Sequence, residues 1–406
     1  MSTTTDTQLK KVFLIKVEPN ANNNKFYNLI EVGDGTFRAE YGRVGCVNPK
    51  VEIYPMSKWD SKYKEKLSIK KGYSDKTHLF QEEISENEKK PDGKKQTINE
   101  ITNKIVAKLV SDLTSFAKVS VQENYIISDK KVTQKMVDEA QVVVDEITGL
   151  IKMGQEVEPI NKLLVELFQI IPRKMKNVKD YLFPGGPVLD TKKELAEAQQ
   201  LIGLEQNTLD VMAGQVSMNT KLDIKETKPT QKNILESMGL IIEEAPQSDI
   251  PGILKLMGPN KDQFVRAYVV TNIKTQTRFD KHLSAASDKT IDVFWHGSRN
   301  ENWWSILDKG WMLRPANAII SGKMFGFGTY WSSIFRKSLG YTSYRGSHWA
   351  RGNSDVAYLA LAAVHVGKQL KIKNHQSWCY DLTWEKLQQR GNYDSLYALG
   401  GADLIN

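Results

Sequence analysis

"DVFWHGSRNENWWSILDKGW", residues 292–311, passes from an apolar run to a polar turn with no spacer between them. Val293, Phe294 and Trp295 read as the end of a buried strand, and His296, Gly297, Ser298 and Arg299 follow at once. An imidazole, a bare glycine backbone, a hydroxyl and a guanidinium thus stand at a strand terminus, where loops commonly carry binding and catalytic groups. A polar loop without function explains one such tetrapeptide equally well. The surrounding chain decides between them.

Two further blocks follow. "FGFGTYW" (325–331) places Gly326 and Gly328 about Phe327 and closes on Tyr330, 34 positions after His296. Loop glycines let a backbone approach a ligand closely. "RKSLGY" (336–341) offers Lys337, Ser338 and Tyr341, with the last two spaced to share a helical face. Together they would make a slot for a flat ring. The Gly297 backbone and the Ser338 hydroxyl would hold an amide, and Tyr330 and Tyr341 would stack on the ring. Each block alone is weak, because loop glycines and tyrosines are usually structural; their order and spacing are specific.

Composition bounds the rest. The 406 residues are enough for two to four domains, with 40% hydrophobic and 26% charged residues as in ordinary globular protein. No apolar run approaches a membrane span and the N-terminus lacks the apolar core of a secretory signal. Two cysteines, Cys46 and Cys379, are too few for a disulfide framework or a four-ligand zinc site, so an intracellular chain without metal is expected. The net charge of +8 is uneven: residues 41–80 hold nine Lys/Arg against four acids, interleaved with Tyr41, Tyr54, Trp59, Tyr63 and Tyr73. Cations that neutralise phosphate beside rings that stack on bases suit nucleic-acid ends or single strands, although a solvated basic face has the same composition.

The periodicity of the chain changes along its length. Residues 8–80 alternate apolar and polar positions in short runs, such as "KKVFLIKVE" and "FRAEYGRVG", which reads as a small antiparallel sheet. Residues 81–99 are charged and free of aromatics, a linker. From 100 to 215 apolar residues step by three or four, as at Ile101, Ile105, Leu109 and Leu113, and five to seven packed helices are expected. Pro172 should stop one helix, and Thr191 with Glu194 should cap another. Residues 216–232 form a second connector, and strand-like runs among glycine-rich loops make 233–406 an α+β domain.

The three C-terminal blocks, "WHGSRNEN", "FGFGTYW" and "RKSLGY", resemble the catalytic domain of the poly(ADP-ribose) polymerase family of ADP-ribosyltransferases. "YGRVG" (41–45) with "KLSIKKGY" (66–73) is similar to the WGR domain of members activated by DNA breaks. "KVTQKMVDEAQVVVDEITGLI" and "INKLLVELFQIIP" are similar to their helical regulatory domain. The resemblance implies a multidomain chain of WGR-like sheet, all-α bundle and α+β ADP-ribosyltransferase domain. It implies NAD+ as substrate, no metal, DNA strand breaks or ends and protein acceptors including the chain itself as partners, and no membrane. It implies residence in the nucleus of a eukaryote, or in the cytoplasm if the source is bacterial or viral.

By the same resemblance His296 contacts the adenosine ribose of NAD+ and Gly297 the nicotinamide amide. Ser298 and Asn302 line the adenosine side, Arg314 faces the pyrophosphate, and Ser338, Tyr330 and Tyr341 complete the nicotinamide slot. Arg299 orders the loop, Trp303 and Trp304 pack the next helix, and His296, Tyr330 and Lys337 are the catalytic candidates. Tyr41, Arg43, Trp59, Lys70 and Lys71 are the DNA-binding candidates. The reaction needs orientation and cation stabilisation more than acid–base help, because nicotinamide departure leaves an oxocarbenium-like ribose.

Two departures stand out. Tyr41 replaces the family's WGR tryptophan, so base stacking would pass in part to another aromatic such as Trp59. The family's catalytic glutamate follows a stretch like "NYDSLYALGGADLIN", with which the 406 residues close. Glu385, Asp394 and Asp403 are poor substitutes by position, so a glutamate is expected beyond Asn406. If the chain truly ends at Asn406, the alternative is an inactive DNA-end and NAD-binding module.

Overall fold

A computed structural model describes residues 9–80, 100–124, 132–152, 156–184, 192–223, 233–311 and 324–399. The chain divides into two compact units, residues 1–96 with 119–216 and residues 97–118 with 217–406. The expected linker at 81–99, Thr191, Arg314 and Asp403 lie outside the described residues.

The first unit begins with the antiparallel sheet that the alternation predicts. Strands β1 (Lys11–Glu18), β2 (Asn23–Glu31), β3 (Thr36–Arg43) and β4 (Lys50–Pro55) follow one another. Helix α1 (Trp59–Leu67) and the short β5 (Ser74–Asp75) close it, in the sheet order β4-β3-β2-β1-β5. Register places Leu14 opposite Tyr27 and Tyr27 opposite Tyr41, so one cross-strand row runs across the covered face. Leu14, Tyr27, Leu29, Phe37 and Ala39 are buried there, and α1 lays Trp59 onto them.

Helices α2 (Lys104–Asn124), α3 (Gln134–Lys152), α4 (Val157–Ile170) and α5 (Lys192–Asp223) follow. The unit boundary falls inside α2 and α5. The helical spacing is kept: Met136, Ala140, Val143 and Ile147 are buried along α3, and Ile160, Leu164 and Leu167 along α4. Helix α4 ends ahead of Pro172, where the missing N–H and the restricted preceding residue forbid another turn. Four α-helices and a 3-10 turn at Val178–Tyr181 replace the five to seven helices expected, among the described residues. Helix α5 continues to Asp223, so the connector expected from 216 starts later.

Sheet and helices of this unit are pinned through Arg43. Its guanidinium donates to Asn22 O at 2.8 Å, Met175 O at 2.9 Å and Lys176 O at 2.9 Å. Asn24, fully buried, donates to Arg173 O at 2.8 Å. A planar fork with five donors is suited to several carbonyls at once, which a lysine is not.

The second unit holds α6 (Ile234–Met238), β6 (Leu240–Glu244), α7 (Ile250–Met257), β7 (Tyr268–Asn272), α8 (Ile273–Ala285), β8 (Ile291–Gly297) and α9 (Trp303–Lys309). After them come α10 (Phe335–Leu339), β9 (Leu359–His365), β10 (Gln369–Ile372), α11 (Trp384–Gln389) and β11 (Ser395–Ala398). Strands pair as β6–β7 and β8–β9 antiparallel and β10–β11 parallel. Met257, Trp295 and Phe335 form a core cluster at the end of β8. The first part of α2 belongs to this unit: Trp304 Nε1 donates to Thr114 Oγ1 at 3.0 Å, and Tyr358 meets Phe116 edge-on. Trp303 and Trp304 are both buried, as their reading as helix packing requires.

One expectation about β8 is corrected. Of Val293, Phe294 and Trp295 only Trp295 is buried, and Val293 is half exposed. The strand has β9 on one edge, but on the other only the Trp295–Ser332 bridge is seen among the described residues. Val293 shares a face with Trp295, so among the described residues burial on that face begins only toward the C-terminal end of the strand.

Candidate active site

The C-terminal end of β8 delivers His296 and Gly297 against α10, and Gly297 is there for a steric reason. A Cβ at this position would lie 1.8 Å from the Ser338 carbonyl oxygen and 3.1 Å from Thr342 Cγ2. Only glycine lets the strand end and α10 approach so closely. Ser338, buried on α10, donates its hydroxyl to Trp295 O at 3.0 Å, which ties the two elements together. Tyr341 lies past the end of α10, and its N–H closes a turn on Ser338 O at 3.1 Å. The two residues are therefore adjacent through a turn rather than a shared helical face. Tyr341 is 44% exposed and stacks one face on Trp349 at 6.1 Å and 17°, leaving a partly open ring beside Gly297 and Ser338.

Tyr330 joins this group through its backbone. His296 Nδ1–H donates to the Tyr330 carbonyl at 2.9 Å. The Tyr330 hydroxyl donates to Gly326 O at 2.8 Å and accepts from Phe325 N at 3.1 Å, so it closes its own loop. Burial pushes the Tyr330 phenol up to about 12 and raises that of Tyr341, which keeps both neutral at physiological pH. Burial lowers His296 below the ordinary imidazole value, against a smaller upward pull from the Tyr330 carbonyl.

The other sequence-predicted residues sort cleanly. Ser298 Oγ accepts from Asn302 Nδ2 at 3.1 Å, so these two share one place. Arg299 donates to Ala350 O at 2.9 Å and thereby orders the loop that carries Trp349. Lys337 stands exposed on α10. Gly326 corrects an expectation: its φ is +75°, and a Cβ there would sit 2.2 Å from Leu382 O. Its bareness serves contact with a neighbouring loop, where Phe327 N donates to Leu382 O at 2.7 Å, and not approach to a ligand. Glu385 lies in the first turn of α11, beside the capping residue Thr383, whose hydrogen bond lowers its carboxyl pKa. Asp394 accepts from Lys368 N at 2.9 Å between β10 and β11. Both carboxylates already have structural partners.

Composition alone missed the aromatic neighbours of His296. Trp331 and Trp311 lie 5.1 and 5.7 Å from its ring. Trp331 stands next to Tyr330 in "FGFGTYW" and Trp311 closes the stretch that begins at Asp292, but neither spacing points to the His296 ring.

The basic stretch of the first unit lines a cavity of about 560 Å³, with Lys25, Lys50, Lys70 and Lys71 around Tyr41 and Tyr73. Tyr41 stacks on Tyr27 at 5.3 Å and donates its hydroxyl to Glu52 at 2.8 Å. Trp59 is corrected as a stacking platform. It is 7% exposed and packs edge-on against Phe37, so its ring is unavailable to a base. Arg43 lines the same cavity, but its guanidinium is spent on backbone carbonyls.

Comparison with known proteins bears on this geometry. The model of the poly(ADP-ribose) polymerase catalytic domain matches residues 251–397, which include β8, α10 and the loops between them. The protein of Invertebrate iridescent virus 6 named "Putative poly [ADP-ribose] polymerase-like 100L" is 30% identical over 147 residues, 35% of this chain and 74% of that protein. The chain belongs to the poly(ADP-ribose) polymerase family. Its enzyme class is that of an NAD+ ADP-ribosyltransferase, and the family takes NAD+ as substrate and proteins as acceptors. Uncharacterized protein 101L of the same virus is 30% identical over 212 residues, 52% of this chain and 80% of that protein. Poly(ADP-ribose) polymerase 2-B of Oryza sativa is 40% identical over 77 residues, which cover 19% of this chain and 12% of the rice polymerase. The match thus spans most of each viral relative but a small part of the rice polymerase. Among the described residues no helix is long and apolar enough to cross a membrane, and no group of three or more metal-ligating side chains occurs.

Proposed function

We propose that a slot beside the contact of β8 with α10, open toward Tyr330 and Tyr341, takes the nicotinamide end of NAD+, and that ADP-ribose passes from it to protein acceptors and onto growing polymer. The observation that carries this is the contact of Gly297 with Ser338, flanked by the partly open rings of Tyr330 and Tyr341. Nicotinamide is a flat ring bearing an amide. The Gly297 backbone and the Ser338 hydroxyl suit the amide, and neutral phenol rings suit the ring faces. His296, with Ser298 and Asn302 on the next turn, would meet the adenosine side. In the reaction the ribose C1–nitrogen bond breaks and nicotinamide leaves with its electron pair. The acceptor's nucleophile bonds to C1 and loses its proton to solvent water. These residues would orient the substrate, and Lys337, exposed on α10, would support the ribose.

The lysine-rimmed cavity of the first unit would hold DNA ends through Lys70, Lys71 and Tyr41. Its cations favour phosphate and its tyrosines favour a terminal base. The helices of residues 100–215 would act as a brake on the slot that DNA binding relieves. A second reading, NAD+ binding without transfer, draws on the structural duties of Glu385 and Asp394.

Titration of the chain with benzamide tests the slot. Ser338→Ala should weaken it several-fold, because an amide hydrogen bond of about 1–2 kcal/mol is lost. Equal binding by variant and parent would remove Ser338 from the site. Release of nicotinamide from NAD+ separates transfer from binding alone.

A further inference from the structure

Three rings meet at the end of β8. The His296 ring lies 5.1 Å from Trp331 at 52° and 5.7 Å from Trp311 at 76°. The two indoles meet each other at 4.7 Å and 63°. Trp331 is itself held, since its Nε1–H donates to Thr329 Oγ1 at 2.9 Å.

The hydrogen bonding of His296 is one-sided. Nδ1 faces the Tyr330 carbonyl at 2.9 Å, and a carbonyl oxygen can only accept. The proton of the neutral ring is therefore on Nδ1, and Nε2 carries the lone pair. A flip of the ring about its Cβ–Cγ bond would set a carbon against that carbonyl and forfeit the bond. Both indoles lie on one side of the imidazole, since they touch each other, and their bulk there opposes the flip; neither presents an acceptor that would draw the proton to Nε2.

We infer that Trp311 and Trp331 are positioning residues that hold His296 with Nδ1–H on the Tyr330 carbonyl and Nε2 turned to the nucleotide as an acceptor. Such an Nε2 takes a ribose hydroxyl, which donates, and rejects a ribose phosphate, which offers only acceptors. This rests on the reading of the slot as an NAD+ site. The family resemblance identified His296 but said nothing of the two tryptophans, which only the packing brings to it.

The full chain labelled with nitrogen-15 at histidine tests it, with the His296 ring assigned through His296→Gln. Long-range proton–nitrogen spectra should show one tautomer in the parent, protonated at Nδ1. Trp311→Leu and Trp331→Leu should show mixed tautomers, and Trp331→Phe should restore the parent pattern. Calorimetry should give NAD+ binding about tenfold weaker in the leucine variants, with benzamide binding unchanged, which also reports that they are folded. NADP+, with its phosphate on the adenosine ribose, should bind the parent at least about tenfold more weakly than NAD+. A parent protonated at Nε2, or leucine variants that keep both the parent spectrum and its NAD+ affinity, would overturn the inference. A parent that binds neither NAD+ nor benzamide would overturn the reading of the slot instead, and the spectra would still decide the positioning of the ring.

Discussion

Replacing Gly297 with alanine is the sharpest test of how the site is built. The new Cβ would fall 1.8 Å from Ser338 O and 2.8 Å from Ser338 C, both backbone atoms that no rotamer change can move away. Strand end and α10 must separate by more than an ångström. Overpacking of this kind costs about 1–3 kcal/mol. Separation also breaks the Ser338–Trp295 hydrogen bond, now 3.0 Å, which adds about 1 kcal/mol. A total of about 2–4 kcal/mol in a unit of this size should lower its thermal midpoint by roughly 5–15 °C. Benzamide should bind more weakly in proportion to the displaced serine. Gly252→Ala is the control in the same unit. That glycine lies within α7 with nothing near its missing Cβ, so alanine should raise the midpoint by about 1–4 °C through helix propensity alone. Circular dichroism melts and benzamide titration of the two variants decide the matter. A Gly297→Ala protein with the parent's midpoint and the parent's affinity would refute the close-approach argument.

Three further outcomes are expected. Reversing charge at Lys70 and Lys71 should weaken binding to a blunt duplex and make the plot of log affinity against log salt shallower by about 2, while melting is unchanged; an unaltered slope would place DNA elsewhere. Arg43→Lys should lower the unfolding free energy of the first unit by about 1–3 kcal/mol in denaturant melts, because an ammonium cannot reach Asn22 O, Met175 O and Lys176 O as one fork; wild-type stability would show the fork to be dispensable. Burial lowers the His296 pKa from 6.5, so as pH falls the unfolded chain takes up this proton before the folded one does. The stability that comes from keeping the ring neutral is complete above that value and drains away below it. The melting difference between parent and His296→Gln should therefore be constant near pH 7 and narrow from about pH 6.5 downward; a difference that widens instead would contradict the burial.

Local pattern was enough for much of the architecture. Alternation through Val12, Leu14 and the neighbouring strands foretold the antiparallel sheet, because side chains at every second position share a face. Steps of three and four through Met136, Ala140 and Val143 foretold α3, because those positions form one stripe. Motif order alone brought His296, Gly297, Ser338 and Tyr341 into one hypothesis, since a glycine at a strand end and a serine on a following helix need only local geometry to be recognised.

Partners distant in the chain were a matter for the tertiary structure. Trp59 and Tyr41 are both aromatic within a basic stretch, and only packing shows that the first is buried on Phe37 while the second lines the cavity. Arg43 looks like a phosphate ligand until the carbonyls of Met175 and Lys176 meet it across more than a hundred residues of chain. Gly326 looks like a ligand-facing glycine until Leu382 occupies the space its Cβ would fill. His296 acquires its tautomer from a carbonyl and its restraint from two indoles that no spacing rule connects to it. Periodicity reports which side of an element is apolar, because that depends on the element's own geometry. The identity of the atom that finally fills a particular space depends on how all the elements pack at once, and sequence patterning of one element carries no record of it.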